Sequence, residues 1–528
     1  MRLETGTIWG TSTTDSILVS ERMTLGELLN GLEVVQLTPA SHDPNGRTIS
    51  SLEYDSRRAS GECVFFALPG VKTDGNRFVG QAVSRGAVAV VSEQPRPADL
   101  DDSVIWIRVT AARRALALAA GNFYAQPSQA LDLVGVTGTN GKTTTTFLID
   151  SILRAAGRRT GLFGTVLYRT PGRAALASNT TPESLELARL LAELRDEGGT
   201  AAVLEVSSHA LAMDRVWGFR FAAAVFTNLT RDHLDFHETM DNYFAAKRVL
   251  FEGTGAGAPR VGVINGDDPR GRELTGLCER TLTYGLAEGA DVRASEYRLS
   301  TDGLEFTAGT PAGEIELRSR LVGRFNVSNI LAATATAVAL GVDHRAIAEG
   351  IARMTSVPGR FERVEAGQPF LVVVDYAHTD DALVRLIETA RELKLPGRIL
   401  ALFGAGGDRD RTKRPLMGEA AGRGADLVVV TSDNPRSEDP QAIVNDILPG
   451  VERTGTPHLV EVDRALAIEK ILAEARPGDM VLIAGKGHET YQILGDRTIA
   501  FDDRHVARQA LRSLGYRPEA SRETEEAR

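Results

Sequence analysis

The stretch Leu131–Thr144, LDLVGVTGTNGKTT, decides how the rest of the chain is read. The apolar run Val134–Val136 has the composition of a buried parallel strand, and it breaks into Gly138-Thr139-Asn140-Gly141-Lys142-Thr143-Thr144. The following TTTFLIDSILRAAG has helical spacing and stops at Gly157. A strand, a glycine loop and a helix in that order make an anion cradle. Glycines let backbone N–H groups turn toward one phosphate, the helix N-terminus adds partial positive charge, and Lys142 reaches the terminal phosphates. The Thr143 hydroxyl stands where it can ligate Mg²⁺. The general phosphate-loop pattern wants a glycine where Val136 stands, so this is a compact variant.

With 528 residues the chain exceeds one core and calls for two to four domains. Its 42% hydrophobic and 25% charged residues are those of an ordinary globular protein. A net charge of −10 with no basic stripe argues against a nucleic-acid partner. Cys63 and Cys278 suggest neither a disulfide framework nor a zinc site, and a cytoplasmic location fits them. The first 22 residues lack an uninterrupted apolar core and read as a weakly ordered lead-in rather than a secretory signal. Val327–Val342 is too short and too rich in Thr and Asn to span a bilayer and reads as a packed helix. The charged tail 521–528 reads as frayed.

Along the chain, 23–109 is mixed α/β, with strand-like CVFFAL, AVAVVS and VIWIRV and the polar loops Tyr54–Arg57 and Gly70–Gly75. From 110 to 358 apolar strands alternate with amphipathic helices, the pattern of a doubly wound parallel sheet. Between Asp291 and Gly323 the period shortens to alternating stretches with glycine turns, expected as antiparallel hairpins at the sheet edge. After Pro358-Gly359, FLVVVDYA, RILALFG, ADLVVVTSD, HLVEVD and DMVLIAGK are five strand candidates of a second α/β layer.

Polar residues collect where these strands end, on the side that faces ligands in such sheets. Glu205 closes TAAVLEVSS, and NLTRDHLD after the next strand holds His233 among carboxylates, a donor set compatible with Mg²⁺. Asn179-Thr180-Thr181-Pro182 reads either as a helix cap, with Pro182 at the first helical position, or as an anion site. Lys247, beside Arg248, reads locally as a solvated lysine. In the last unit GAGGDRDR (Gly404–Arg411), Asp433-Asn434-Pro435-Arg436 and Gly485-Lys486-Gly487-His488-Glu489 all follow strands. Carboxylates for an ammonium and guanidinium for a carboxylate suit a zwitterionic amino acid.

Taken together, TGTNGKTT, EVSSHAL, FTNLTRDHLDFH, FNVSN, DYAH and AGKGHE resemble the Mur ligases of bacterial cell-wall synthesis, in order, from Met23 to the last helix. GGDRD, DNPR and GKGHE resemble those of the branch that adds meso-diaminopimelate to UDP-N-acetylmuramoyl-L-alanyl-D-glutamate. The resemblance implies a three-domain α/β architecture: a UDP-binding domain (23–109), a central phosphate-loop ATPase (110–358) and a C-terminal Rossmann-like domain (359–528). It further implies a monomer using ATP and Mg²⁺, with an acyl phosphate formed on the D-glutamyl γ-carboxylate and then attacked by the amine.

By position, the resemblance implies that Gly138–Thr144 with Asn326, Arg360, Asp375 and His378 hold ATP. Thr143, Glu205 and His233 would surround Mg²⁺. Lys247 would become a carbamate (N6-carboxylysine) that ligates a second ion, against its local reading, and Lys142, Glu205, His233 and Lys247 would form the catalytic set. Tyr54, Ser56, Val71, Lys72 and Thr73 would bind UDP; Asn179, Thr180, Thr181, Ser207 and Arg215 would hold the muramoyl peptide. Arg409, Asp433, Asn434, Pro435, Arg436, Gly485 and Glu489 would select diaminopimelate. Arg436 favours diaminopimelate over L-lysine, the alternative on this scaffold, because lysine lacks the distal carboxylate and would leave the guanidinium unpaired. Two residues depart from the family pattern: Asp380 replaces the usual proline after DYAHT, and Met213 a frequent glutamine. Closure of the last domain over ATP is expected, because the two sets of groups lie on different domains.

Overall fold

The computed structural model describes residues 23–41, 43–70 and 73–517. The expected lead-in and tail, and Val71 and Lys72, lie outside the described residues. Three sheets carry the chain. The first has five strands in the order Val34–Thr38, Ile105–Val109, Ala87–Ser92, Cys63–Phe66, Ser51–Glu53, parallel except at the Val34–Thr38 edge. Helix Ala112–Phe123 turns its alanine and leucine face into a core continuous with that of the central unit.

The central sheet has eleven strands. Its middle is parallel, with Asp132–Thr137 between Ala201–Glu205 and Ala223–Phe226. All three middle strands are buried throughout or nearly so, which is why they read as continuous apolar runs. The hairpins expected after Asp291 are the antiparallel strands Val292–Ser300, Gly303–Thr310 and Gly313–Ser319 at one edge. Phe325–Ala339 is the expected packed helix, buried against one face of the sheet. Among the described residues no helix is long and apolar enough to cross a membrane.

The third sheet orders its strands Glu362–Arg363, Leu371–Asp375, Met480–Ala484, Ile399–Phe403, Leu427–Val430, His458–Val460, parallel apart from the first pair. All five sequence candidates are therefore in it.

Register does the positioning. Glu205 pairs with Val136 and Phe226 with Thr137, so three central strands end level and their following loops meet. In the last sheet Asp375 aligns with Ala484, and Phe403 with Val430, so another set of loops gathers on one edge. The two edges face each other, joined by hydrogen bonds from Asn140 Nδ2 (3.3 Å) and Thr230 Oγ1 (3.2 Å) to Asp381.

Two helix starts bear on the sequence reading. Asp380 opens helix Asp380–Glu392 behind the cap Thr379, a place where a carboxylate is favourable. Pro182 is not the first helical residue: Glu183 caps Ser184–Asp196, and the proline precedes the cap. Thr181 is no cap either; its hydroxyl donates to the Glu205 carbonyl (2.9 Å) and accepts from the Ser207 N–H (3.0 Å), tying this loop to a strand end.

Candidate active site

Gly141, at φ 87°, begins helix Lys142–Ala155, and a Cβ there would collide with the Asn329 amide oxygen. The loop is clamped from the next strand: Thr139 N–H donates to the Asn228 carbonyl (2.8 Å), Asn140 N–H to Asn228 Oδ1 (2.9 Å), and Thr227 Oγ1 to the Asn140 carbonyl (2.6 Å). Lys142 folds back on its own loop, donating to the carbonyls of Gly138 (3.0 Å) and Thr139 (2.9 Å). Burial lowers its pKa, opposed by Glu205 and Asp232. A cation satisfied only by carbonyls is poised to exchange them for phosphate oxygens, a charge-assisted and stronger partner.

Behind the loop the Glu205 carboxylate is buried and fully engaged. It accepts from Thr143 Oγ1 (3.0 Å), Thr165 Oγ1 (3.0 Å) and Thr165 N–H (2.8 Å). Arg360, from the start of the last unit, donates to Thr143 Oγ1 (3.3 Å) and stacks 4.8 Å from the Tyr376 ring centre, its Nε left without a partner. Asp375 accepts from the N–H groups of Phe361 (2.7 Å) and Ala377 (2.8 Å), and burial raises its pKa.

Lys247 is 1% exposed, so its local reading as a solvated lysine does not hold. Its Nζ donates to the Gly138 carbonyl (2.8 Å) and lies 4.3 Å from the Tyr243 ring centre. Burial, with Lys142 adding repulsion, pushes its pKa well down. His233 adopts the left-handed conformation (φ 54°) and stands 3.4 Å from Asp232; burial outweighs that carboxylate and keeps the ring neutral.

Two cavities occupy the cleft between the sheet edges. One, of about 360 Å³, is lined by the phosphate loop, Glu205, Asn329, Arg360 and Asp375. The other, of about 420 Å³, is lined by Arg409, Asp433, Asn434, Arg436, Gly485 and Glu489. Asp232, His233, Tyr376, His378 and Thr379 line both, so the two are contiguous.

In the second cavity Asp433 and Glu489 are paired with Lys486 (3.5 and 3.0 Å), whereas Arg409 and Arg436 rest on carbonyls. Arg436, at φ 53°, donates through Nη1 to the Gly407 carbonyl (2.6 Å), and its backbone is held by Ile493 and Gly495 of the ribbon Tyr491–Leu494/Arg497–Ala500. A Cβ on Gly406 would stand 3.0 Å from that Nη1, so the glycine makes room for the arginine. Beneath lies a wholly buried pair, Arg464–Asp503 (2.7 Å). Arg464 also donates to the carbonyls of Ser432 (3.2 Å) and Ala484 (2.9 Å), so it ties together the two strand ends that precede Asp433 and Gly485.

The expected residues divide into those at the cleft and those beside it. Gly138 lies beneath the loop as a carbonyl acceptor for both lysines, whereas Thr139–Thr144 line the first cavity. Asn326 does not line it. Its Nδ2 donates to the Val322 carbonyl (2.8 Å) and its Oδ1 accepts from Asn329 (2.9 Å), so Asn329 is the residue presented. Pro435 lines neither cavity; its carbonyl abuts Gly407 and shapes the turn. Thr180 and Ser207 line the first cavity, with the Thr180 and Thr165 hydroxyl oxygens 3.2 Å apart.

Thr181 and Arg215 lie just behind, Arg215 donating to the Thr181 carbonyl (3.1 Å) with Met213 Sδ at 3.8 Å from its Nη2. Asn179 is held through its backbone by the Tyr168 hydroxyl. Away from both cavities, Tyr54 donates to Glu186 (2.9 Å) and Ser56 to Gln81 (2.7 Å), while Thr73 is exposed. The residues missed were Asn228, Asn329, Thr165, Asp381 and Lys486. Asn228 and Asn329 fall inside quoted motifs, but nothing in the spacing told which asparagine faces the cavity.

Three family models match consecutive parts of the chain: "Mur ligase family, catalytic domain" over 48–124, "Mur ligase middle domain" over 136–337 and "Mur ligase, glutamate ligase domain" over 359–487. A protein of Solibacter usitatus named UDP-N-acetylmuramoyl-L-alanyl-D-glutamate--2,6-diaminopimelate ligase is 53% identical over 496 residues, 94% of this chain and 99% of that one. A Geobacillus thermodenitrificans protein of the same name is 47% identical, over 89% of this chain and 96% of its own. A solved structure of a ligase of that name superposes with a TM-score of 0.65 at 32% identity, covering 94% of this chain and 100% of that one. With the phosphate-loop cleft of its central sheet opening on the charged cavity of its last, the chain belongs to the Mur ligase family.

Proposed function

We propose that the protein is an ATP-dependent acid–amino-acid ligase adding meso-2,6-diaminopimelate to UDP-N-acetylmuramoyl-L-alanyl-D-glutamate, a step of peptidoglycan precursor synthesis. The observation that carries this reading is the continuity of the two cavities, one built for phosphate and one for a charged amino acid, with Arg436 in the second. The names of the relatives support it.

In the reaction the D-glutamyl γ-carboxylate attacks the γ-phosphorus of ATP and ADP leaves. A carboxylate is a poor electrophile because its leaving group would be oxide; the acyl phosphate replaces that with phosphate. The neutral diaminopimelate amine then adds to the acyl carbon, the tetrahedral intermediate expels phosphate, and the new amide has shed one proton. Lys142 and the loop N–H groups hold the phosphates, Thr180, Ser207 and Arg215 orient the peptide, and Arg360 bridges the cleft. Such a site works chiefly by positioning and by neutralising charge.

The Thr143 hydroxyl and Glu205 carboxylate, 3.0 Å apart, fit Mg²⁺ as hard oxygen donors. Among the described residues no three His, Cys, Asp or Glu form a metal cluster, which suits an ion that keeps phosphate oxygens and water as its other ligands. When bound, Mg²⁺ neutralises phosphate charge. A second ion would draw on His233 and on Lys247 as carbamate. The buried Lys247 amine, depressed toward its neutral form, is the species that adds CO₂ with loss of one proton. We place the protein in the cytoplasm as a monomer with no nucleic-acid partner; light scattering on the purified chain checks the monomer.

The test is phosphate release with ATP, Mg²⁺ and the UDP-muramoyl dipeptide, adding meso-diaminopimelate or L-lysine in turn. Turnover with diaminopimelate and a tripeptide product by mass supports the reading. Turnover with lysine instead overturns the role given to Arg436, and silence with both overturns the ligase assignment.

A further inference from the structure

Lys486 sits one residue beyond Gly485 in the turn that leads to Glu489, and its side chain is completely buried. Its Nζ reaches three acceptors: Glu489 Oε2 at 3.0 Å, Asn434 Oδ1 at 3.2 Å and Asp433 Oδ1 at 3.5 Å. An ammonium has three protons and no acceptor. All three are used within the cavity wall, so Lys486 has none left for a ligand and can act only through its neighbours.

Those neighbours are the groups that meet the amino acid. Asn434 Oδ1 accepts both Lys486 and the Ile493 N–H (3.0 Å), which turns Nδ2 onto Glu489 Oε2 (2.8 Å) and fixes the amide. Asp433 and Glu489, two carboxylates on one wall, would repel each other without the cation between them. Lys486 is the cation that bonds both carboxylates and the Asn434 amide at once. Deleting the Lys486 charge leaves Asp433 and Glu489 without a cation at bonding distance and removes one of the two donors that fix the Asn434 amide, so the frame that meets the amino acid loosens.

We propose that Lys486 is a positioning residue for amino-acid selection, holding Asp433, Asn434 and Glu489 in a fixed frame that accepts an ammonium–carboxylate end over a bare ammonium. This rests on the diaminopimelate reading, which the unmodified chain tests first: if it prefers lysine or uses neither amine, that reading fails by itself.

With that established, steady-state kinetics of Lys486→Met and Lys486→Gln decide the proposal, Gln keeping hydrogen-bond donors without the charge. The KM for diaminopimelate should rise about tenfold or more, and the kcat/KM preference over lysine should fall by a similar factor. The KM values for ATP and the UDP-muramoyl dipeptide should stay within about threefold. Unchanged diaminopimelate KM and preference in a folded variant would overturn the proposal. So would a parallel rise of all three KM values, or loss of the cooperative melting transition in both variants, either of which assigns Lys486 to the fold alone.

Discussion

The two cavities solve opposite problems of charge. At the phosphate loop Lys142 and Lys247 have no anionic partner at bonding distance, and both donate to loop carbonyls. In the second cavity the carboxylates already have a cation, Lys486 bonding both Asp433 and Glu489. A polyanion brings enough charge to displace carbonyl contacts, so its site can stand ready with cations. A zwitterion brings none in net, so a site that reads it must be shaped beforehand. On the proposed reading the first cavity supplies driving force and the second discrimination.

Four measurements would break or sharpen that contrast. Lys142→Ala should reduce kcat by about a thousandfold, since it removes the cation proposed to exchange its loop carbonyls for the transferring phosphoryl group. Phosphate release at saturating substrates reads this, and a loss under tenfold would mean the loop alone supplies the charge. Arg436→Ala should lower kcat/KM for diaminopimelate about a hundredfold while the KM for the UDP-muramoyl dipeptide stays near that of the unmodified chain. Equal losses would make Arg436 a support for the Gly407 turn instead.

Asn326→Ala should raise the KM for ATP about tenfold with kcat little changed, because it frees Asn329 without touching the phosphoryl group. No change would remove Asn329 from the nucleotide site. The smallest effect concerns pH. His488 lies at the seam between the units, and burial, then Arg360 and Arg504, hold its pKa down at about 4. Its unfolded value is about 6.5, so between pH 6.5 and 4 the unfolded chain binds a proton that the native one refuses. Stability should therefore fall as pH drops through that window, and His488→Gln should flatten the Tm profile there by roughly 2 °C. An identical slope in the variant would show that other groups carry the acid sensitivity.

Much of this was legible in the chain. The phosphate loop declares itself because strand, glycine turn and helix are contiguous, and each element keeps its own local signal. Five of the six strands of the last sheet were readable for the same reason, as apolar runs between turns. Misreadings fell where two local solutions were equally good. Pro182 suited a helix start two residues before the observed one at Ser184, and Asn326 and Asn329 are one helical turn apart with the same chemistry.

What the sequence determined by itself is the order of elements, the anion-binding loop and the residue types at each strand end, since periodicity and glycine placement act over a few neighbours. What only the tertiary structure decided is which of those residues meet. Sheet order and register brought Glu205 to Thr143 and Arg360 across the cleft, and they buried Lys247 beneath Gly138. They also spent the Lys486 protons on the wall of its own cavity. Burial and charge pairing are sums over residues far apart in the chain, and no local pattern contains them.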